Sequence, residues 1–247
     1  MGSLALAGVG CLIVTCAVVG IRLLALGVRG RQLPELALAA TYLLFGAIGY
    51  PLGAFARALA ANGDSAAGGW LAVALAVQNF GIAGVFFFVG RVFRPDGSGP
   101  PLAALGAVIL AVSWMGHAFD PGFEGALSRG PWYYLGLATR ASAFVWGAVE
   151  AFSYSALLRR RVALGLVDPV VANRMWLWGA SSAWIAVAFG VFTLGTLTHD
   201  GVNATPIVLA LSGCGIAAAA AMTLAFFPPA RYRRWLVAGA AARSAQR

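Results

Sequence analysis

The chain contains no lysine: all 17 basic side chains among its 247 residues are arginine. It is short of charge altogether, at 10% charged against 61% hydrophobic, where a soluble domain carries about 25% charged residues. A larger core does not account for this, because a chain of this size still needs a wetted surface. The deficit excludes an ordinary soluble domain and leaves lipid as the main solvent. Histidine and cysteine are also scarce, with two and three copies. Cys11, Cys16 and Cys214 fall in apolar runs, and Cys11 and Cys16 face different sides of one helix. They read as small core residues, not a disulfide framework or a metal site. His117 and His199 lie near span ends with no carboxylate at helical metal spacing, so zinc is not expected. Both sit too near the rim to serve as paired haem ligands, and His117 reads as a wet, interfacial residue. P-loop, G-x-G-x-x-G, G-x-S-x-G and H-E-x-x-H motifs are absent. No nucleophile–base arrangement is visible either, so neither an enzyme, a cofactor nor a metal site is expected.

What is present is a series of apolar runs of roughly 20 residues, the length that crosses about 30 Å of hydrocarbon. They fall at 3–27, 35–58, 69–93, 102–119, 132–157, 172–197 and 204–227. The arginines sit between the runs, which reads as membrane topology rather than nucleic-acid binding. Arg22, Arg29, Arg31, Arg91, Arg94, Arg159, Arg160, Arg161, Arg174, Arg231, Arg233, Arg234, Arg243 and Arg247 fall on one side, and only Arg57 and Arg129 on the other. The positive-inside rule makes the first side cytoplasmic, with the N-terminus out and the C-terminus in. Asp64, Asp120, Glu124 and Asp200 then occupy outer loops. The opening MGSLALAGVGCLIVTCAVVG has no positive n-region and reads as the first span, not a secretory signal. The expected fold is an all-α membrane protein, a seven-transmembrane-helix bundle over 1–230 in a bacterial inner membrane, with a basic cytoplasmic tail at 231–247. That tail reads either as an interfacial helix, with Trp235 and Leu236 inserted and arginines on lipid phosphates, or as a frayed end.

An internal repeat is also legible. GIAGVFFFVGRVFRP at 81–95 aligns with GIAAAAAMTLAFFPP at 215–229, an offset of 134, and AATYLLFGA at 39–47 aligns with ANRMWLWGA at 172–180, an offset of 133. The offsets imply parallel repeats 1–95 and 130–229 joined by a linker helix at 102–119, a 3+1+3 plan. This plan resembles the SWEET sugar transporters and the PQ-loop transporters, and its helix count and orientation are similar to the rhodopsins. The resemblance is architectural and covers the whole chain. It implies a transport site between the halves near the bilayer midplane. The motifs depart from it: spans one and five have no Pro-Gln pair, and span one has no proline. The last span has no lysine for a Schiff base, which excludes a retinal pigment.

Polar residues inside the spans mark the candidate site. Arg140 lies roughly 7 Å outside the midplane at about 1.5 Å per residue, and an arginine there costs about 2.5–3.5 kcal/mol on insertion scales. It does not deprotonate, and its fork suits a carboxylate or phosphate. Tyr50, Gln78, Trp114 and Ser212 share its depth, with Asn79 and Trp184 nearer the midplane. The alternative is a structural pin, with Arg140 snorkelling to an outer carboxylate. Glu150 lies roughly 8 Å on the cytoplasmic side, too far along the helix to pair with Arg140. It shares its layer with Thr41 and Tyr42, and reads either as an ion-pair partner of Arg174 or as a proton-coupling carboxyl. Pro51 removes a backbone hydrogen bond in mid-helix and is a candidate hinge. Trp132, Tyr133 and Tyr134 read as the interfacial aromatic belt.

The expected function is therefore binding and transport of a small, anionic solute. Arg140, Tyr50, Gln78, Asn79, Trp114, Trp184 and Ser212 would line the ligand, and Glu150, Tyr42, Arg174 and Pro51 would couple or gate. The partners would be the bilayer and a small molecule, with no nucleic acid. Two alternatives stand beside it: a seven-helix sensor signalling to a cytoplasmic partner through the loop at 157–174, and a structural membrane subunit.

Overall fold

The computed structural model describes residues 2–119, 123, 130–198 and 204–245, with side chains described between 8 and 240. The helices are α1 (Gly2–Gly30), α2 (Leu33–Ala40), a π-helical segment (Thr41–Gly49), α3 (Tyr50–Ala61), α4 (Ala67–Phe93), α5 (Gly99–Phe119), α6 (Pro131–Val162), α7 (Pro169–Leu197), α8 (Thr205–Phe226) and α9 (Ala230–Ala245). No strand occurs among the described residues. Helix α2, the π segment and α3 are continuous, and among the described residues seven helical spans are long and apolar enough to cross a membrane. An all-helical chain with a lipid bilayer as its surroundings follows, because a spanning helix satisfies its own backbone groups where water is absent.

Two expectations change. Span two is not a plain helix bent at Pro51, since the nine residues Thr41–Gly49 before it are wound with the wider π pitch. The stretch 157–174 is not a long loop, because α6 runs to Val162 and α7 starts at Pro169, leaving only 163–168 between them. Of the two readings of the tail, the described part is helical over Ala230–Ala245. His199, Asp120, Glu124, Asp200, Arg129 and Arg247 lie outside the described residues, as does the side chain of Arg243.

The chain divides into two compact units, 12–143 and 144–247 with 1–11. In the first, α1 meets span two along a seam at three- and four-residue spacing, the neighbours on one helical face. Gly46 packs on the Cys16 side chain, Gly20 under Leu43 and Gly27 under Leu36, with Val19, Leu23 and Ala39 buried alongside. Helix α4 approaches the other face of span two at backbone distance. A Cβ on Gly81 would stand 2.6 Å from the Phe45 nitrogen, and one on Gly84 would stand 2.5 Å from the Ala37 oxygen. The Thr41 hydroxyl donates to the Gly81 carbonyl at 2.8 Å, with the Ala37 carbonyl 3.1 Å away. Small residues that admit close backbone approach are what hold helices together in lipid, where apolar burial supplies little drive. On its opposite side α4 packs on α5, Gly90 against Gly99 and the Phe86 ring over Gly106.

In the second unit, α7 lies along α8, with Leu177 of α7 packed into one apolar cluster with Ala221 and Ala225 of α8. Phe144 stacks on Phe189, the Ser155 hydroxyl donates to the Ala172 carbonyl at 3.1 Å, and Gly8 rests on Ser212. Helix α9 is tied down by Tyr232, whose hydroxyl accepts a hydrogen bond from the Asn173 amide at 2.9 Å.

Candidate functional site

The first unit buries a cationic, aromatic-walled cluster built by α4, α5 and the first part of α6. Arg140 is only 6% exposed. Its Nε donates to the Asn79 Oδ1 at 2.9 Å. The Asn79 amide in turn donates to the Leu110 carbonyl at 3.2 Å. One asparagine therefore links three helices, with its oxygen turned to the guanidinium and its NH2 to a backbone acceptor. The same Leu110 carbonyl accepts from the buried Ser113 hydroxyl at 2.9 Å. Gly136 of α6 faces Ser113: a Cβ there would stand 3.0 Å from the Ser113 Oγ and 3.5 Å from the Arg140 Nη2. The glycine leaves that side of the fork uncovered by a side chain of its own.

One turn along α5 from Ser113 is His117, which is buried. This departs from the wet, interfacial position expected of it. Its ring meets Phe123 edge-on at 4.9 Å and Tyr133 at 6.2 Å, and its Nδ1 has no hydrogen-bond partner among the described residues. Trp114 completes the wall. Its indole donates to the Ala72 carbonyl at 3.0 Å and its ring lies 5.6 Å from Phe123. His117 and Tyr133 are both within electrostatic range of Arg140.

Among the described residues, the donors in this cluster exceed its acceptors. A guanidinium carries five N–H donors, and Asn79 takes the Nε one. A buried polar atom left unsatisfied, as the His117 Nδ1 is, costs about 1–3 kcal/mol. Such a group in a native structure calls for a reason. The fork end of Arg140, with planar bidentate geometry, matches a carboxylate or phosphate. No group of three His, Cys, Asp or Glu that would hold a metal occurs among the described residues.

Of the residues to which the sequence points, Arg140, Asn79 and Trp114 come together here. Gln78, next to Asn79 in the chain, bonds elsewhere, its amide donating to the Gly49 carbonyl of the π segment at 2.8 Å. Tyr50 packs edge-on against Phe45 at 6.2 Å, and Tyr42 is buried in the same span. Trp184 and Ser212 belong to the second unit. Trp184 is 44% exposed, and the Ser212 hydroxyl donates within its own helix to the Val208 carbonyl at 2.8 Å. Glu150 accepts from the Trp146 indole at 3.1 Å, and Arg174 is exposed.

Ser113, Gly136, His117, Tyr133 and Phe123 join the cluster without being expected there. Their signal in the sequence is spacing: 110, 113 and 117 on α5 and 133, 136 and 140 on α6 each follow the three-then-four interval of one helical face.

No protein-family model, curated protein or solved structure matches the chain. Its function rests on the geometry just described.

Proposed function

We propose that the protein is an inner-membrane protein that binds a small organic or inorganic anion at Arg140 and moves it across the bilayer. The arginine count sets the N-terminus outside and the C-terminus inside, which puts the cluster in the outer half of the membrane. The observation that carries this reading is a buried guanidinium oriented through its Nε by Asn79, with its fork end beside Gly136 and Ser113. In a low-dielectric setting such a charge is costly alone and strongly attractive to an anion. Asn79 fixes its direction, as a positioning group does. Trp114, Phe123 and Tyr133 supply an apolar wall suited to a carboxylate with a small hydrocarbon body.

The test is a thermal-shift screen of the purified protein and its Arg140→Gln variant against small carboxylates, inorganic phosphate and neutral sugars. Binding to the folded state raises the melting temperature. The expected result is an anion that stabilises the native protein and has no effect on the variant, followed by flux of that anion into vesicles. A variant that melts early while the native protein ignores every anion would make Arg140 a structural pin and end the transport reading.

A further inference from the structure

The second unit carries a different surface, independent of the Arg140 cluster. The C-terminal end of α6, the start of α7 and helix α9 come together at one end of their spans, tied by Ser155 to Ala172 and by Asn173 to Tyr232. The exposed side chains there are arginines and large apolar residues. Arg159, Arg160, Arg161, Arg174, Arg231, Arg233 and Arg234 are all exposed. Leu164 is 72%, Leu166 71% and Trp235 68% exposed. The acidic group among them, Asp168, is committed locally: its side chain caps α7 by accepting from the Val170 N–H at 2.8 Å.

The leucines are held out by built structure. Helix α6 ends in a Schellman motif, with the Leu166 N–H on the Arg161 carbonyl at 3.0 Å, the Gly165 N–H on the Val162 carbonyl at 3.0 Å, and Gly165 at φ +71°. That motif is frequently closed by an apolar contact between the residue after the glycine and the last turn. Here the position in the last turn is Arg161, and Leu166 points outward instead. On the other side Pro169 opens α7 behind the Asp168 cap. Trp235 is likewise held, stacked on Tyr232 at 5.9 Å. Leu236 beside it is half-buried.

We infer that this end of the second unit is an anionic-phospholipid surface, with Leu164, Leu166 and Trp235 in the acyl boundary and the arginines of α6, α7 and α9 on headgroup phosphates. Three features select lipid over a soluble partner. The surface sits where spans end, so bilayer headgroups are already next to it. It pairs apolar side chains with cations and presents no free acid, the composition of interfacial helices. Arginine, planar and bidentate, is the side chain that recognises a phosphate by shape, and anionic leaflets attract such basic segments.

The experiment is thermal unfolding of the full chain in neutral detergent micelles doped with phosphatidylglycerol, phosphatidylcholine or inorganic phosphate alone. Phosphatidylglycerol should raise the melting temperature on the order of 5 °C, and the other two additions should do little. A triple variant, Arg231→Gln with Arg233→Gln and Arg234→Gln, should keep the basal melting temperature and lose most of the increment. Should that variant misfold, Leu164→Ser with Leu166→Ser, in an exposed turn, should weaken the phosphatidylglycerol response with α9 intact. Equal responses to the two lipids, an increment retained by whichever variant folds, or stabilisation by phosphate alone would each overturn the assignment.

Discussion

Under the proposed anion-binding reading, Arg140 and Asn79 carry the first unit's chemistry, and one atom separates two outcomes. Asn79→Asp replaces the acceptor that Arg140 already uses at 2.9 Å with a carboxylate, giving the arginine an internal counter-ion. A bound anion then competes with a covalently supplied one. Anion-dependent stabilisation should disappear while the melting temperature holds or rises; if anion binding survives in this variant, Arg140 is not the ligand-binding charge. Asn79→Ala removes the orienting bond without adding charge. A hydrogen bond to a charged group is worth about 1.5–3 kcal/mol, so anion affinity should fall about 10- to 100-fold, read by titration. Arg140 is legible in sequence because a lone charge in an apolar run is conspicuous. Its partner is legible only to within one residue, since Gln78 and Asn79 are adjacent and side-chain direction depends on helix rotation. The burial of His117 is not legible, because depth alone places it at the rim, whereas Phe123 and Tyr133, from a connecting segment and the next span, close over it.

At the scale of elements, the π segment is packed at backbone distance against α4. Pro51 supplies no N–H, and its ring crowds the carbonyl one turn back, so a change of pitch beside it has a local cause. The Gly49 carbonyl there takes its hydrogen bond from Gln78. Gln78→Leu should cost about 0.5–1.5 kcal/mol, the net value of such a bond, seen as a lower melting temperature. Gly81→Ala sets a methyl 2.6 Å from the Phe45 backbone nitrogen, where the obstacle is backbone and cannot swing aside. Overpacking of this kind costs about 1–3 kcal/mol, and a variant as stable as the native protein would show that α4 and span two are not in backbone contact. The span limits are readable from apolar run length to within a few residues, as at 69–93 against Ala67–Phe93. The π pitch is not, because TYLLFGAIG has the same composition as an ordinary spanning helix. The helical nature of 157–162 is masked by three arginines, which read as a loop by charge yet are good helix formers.

For the whole molecule, the arginine distribution predicts which loops face which compartment. Single cysteines placed at Asp64 and at Gly97, in a background with Cys11, Cys16 and Cys214 replaced by serine, should be labelled by an impermeant maleimide from opposite sides of a sealed cell, Asp64→Cys from outside. Labelling of both from one side would refute the assigned orientation. The helices also differ in length. Helix α6 has 32 residues and α5, beside it, 21, which at 1.5 Å per residue is about 48 Å against about 32 Å. A hydrocarbon core of about 30 Å matches the shorter helix, and the longer one must tilt or project through the headgroups. The protein therefore carries two different rulers for the same membrane. Its stability in vesicles should pass through a maximum as acyl chains are lengthened, making membrane thickness itself a variable to which this chain responds.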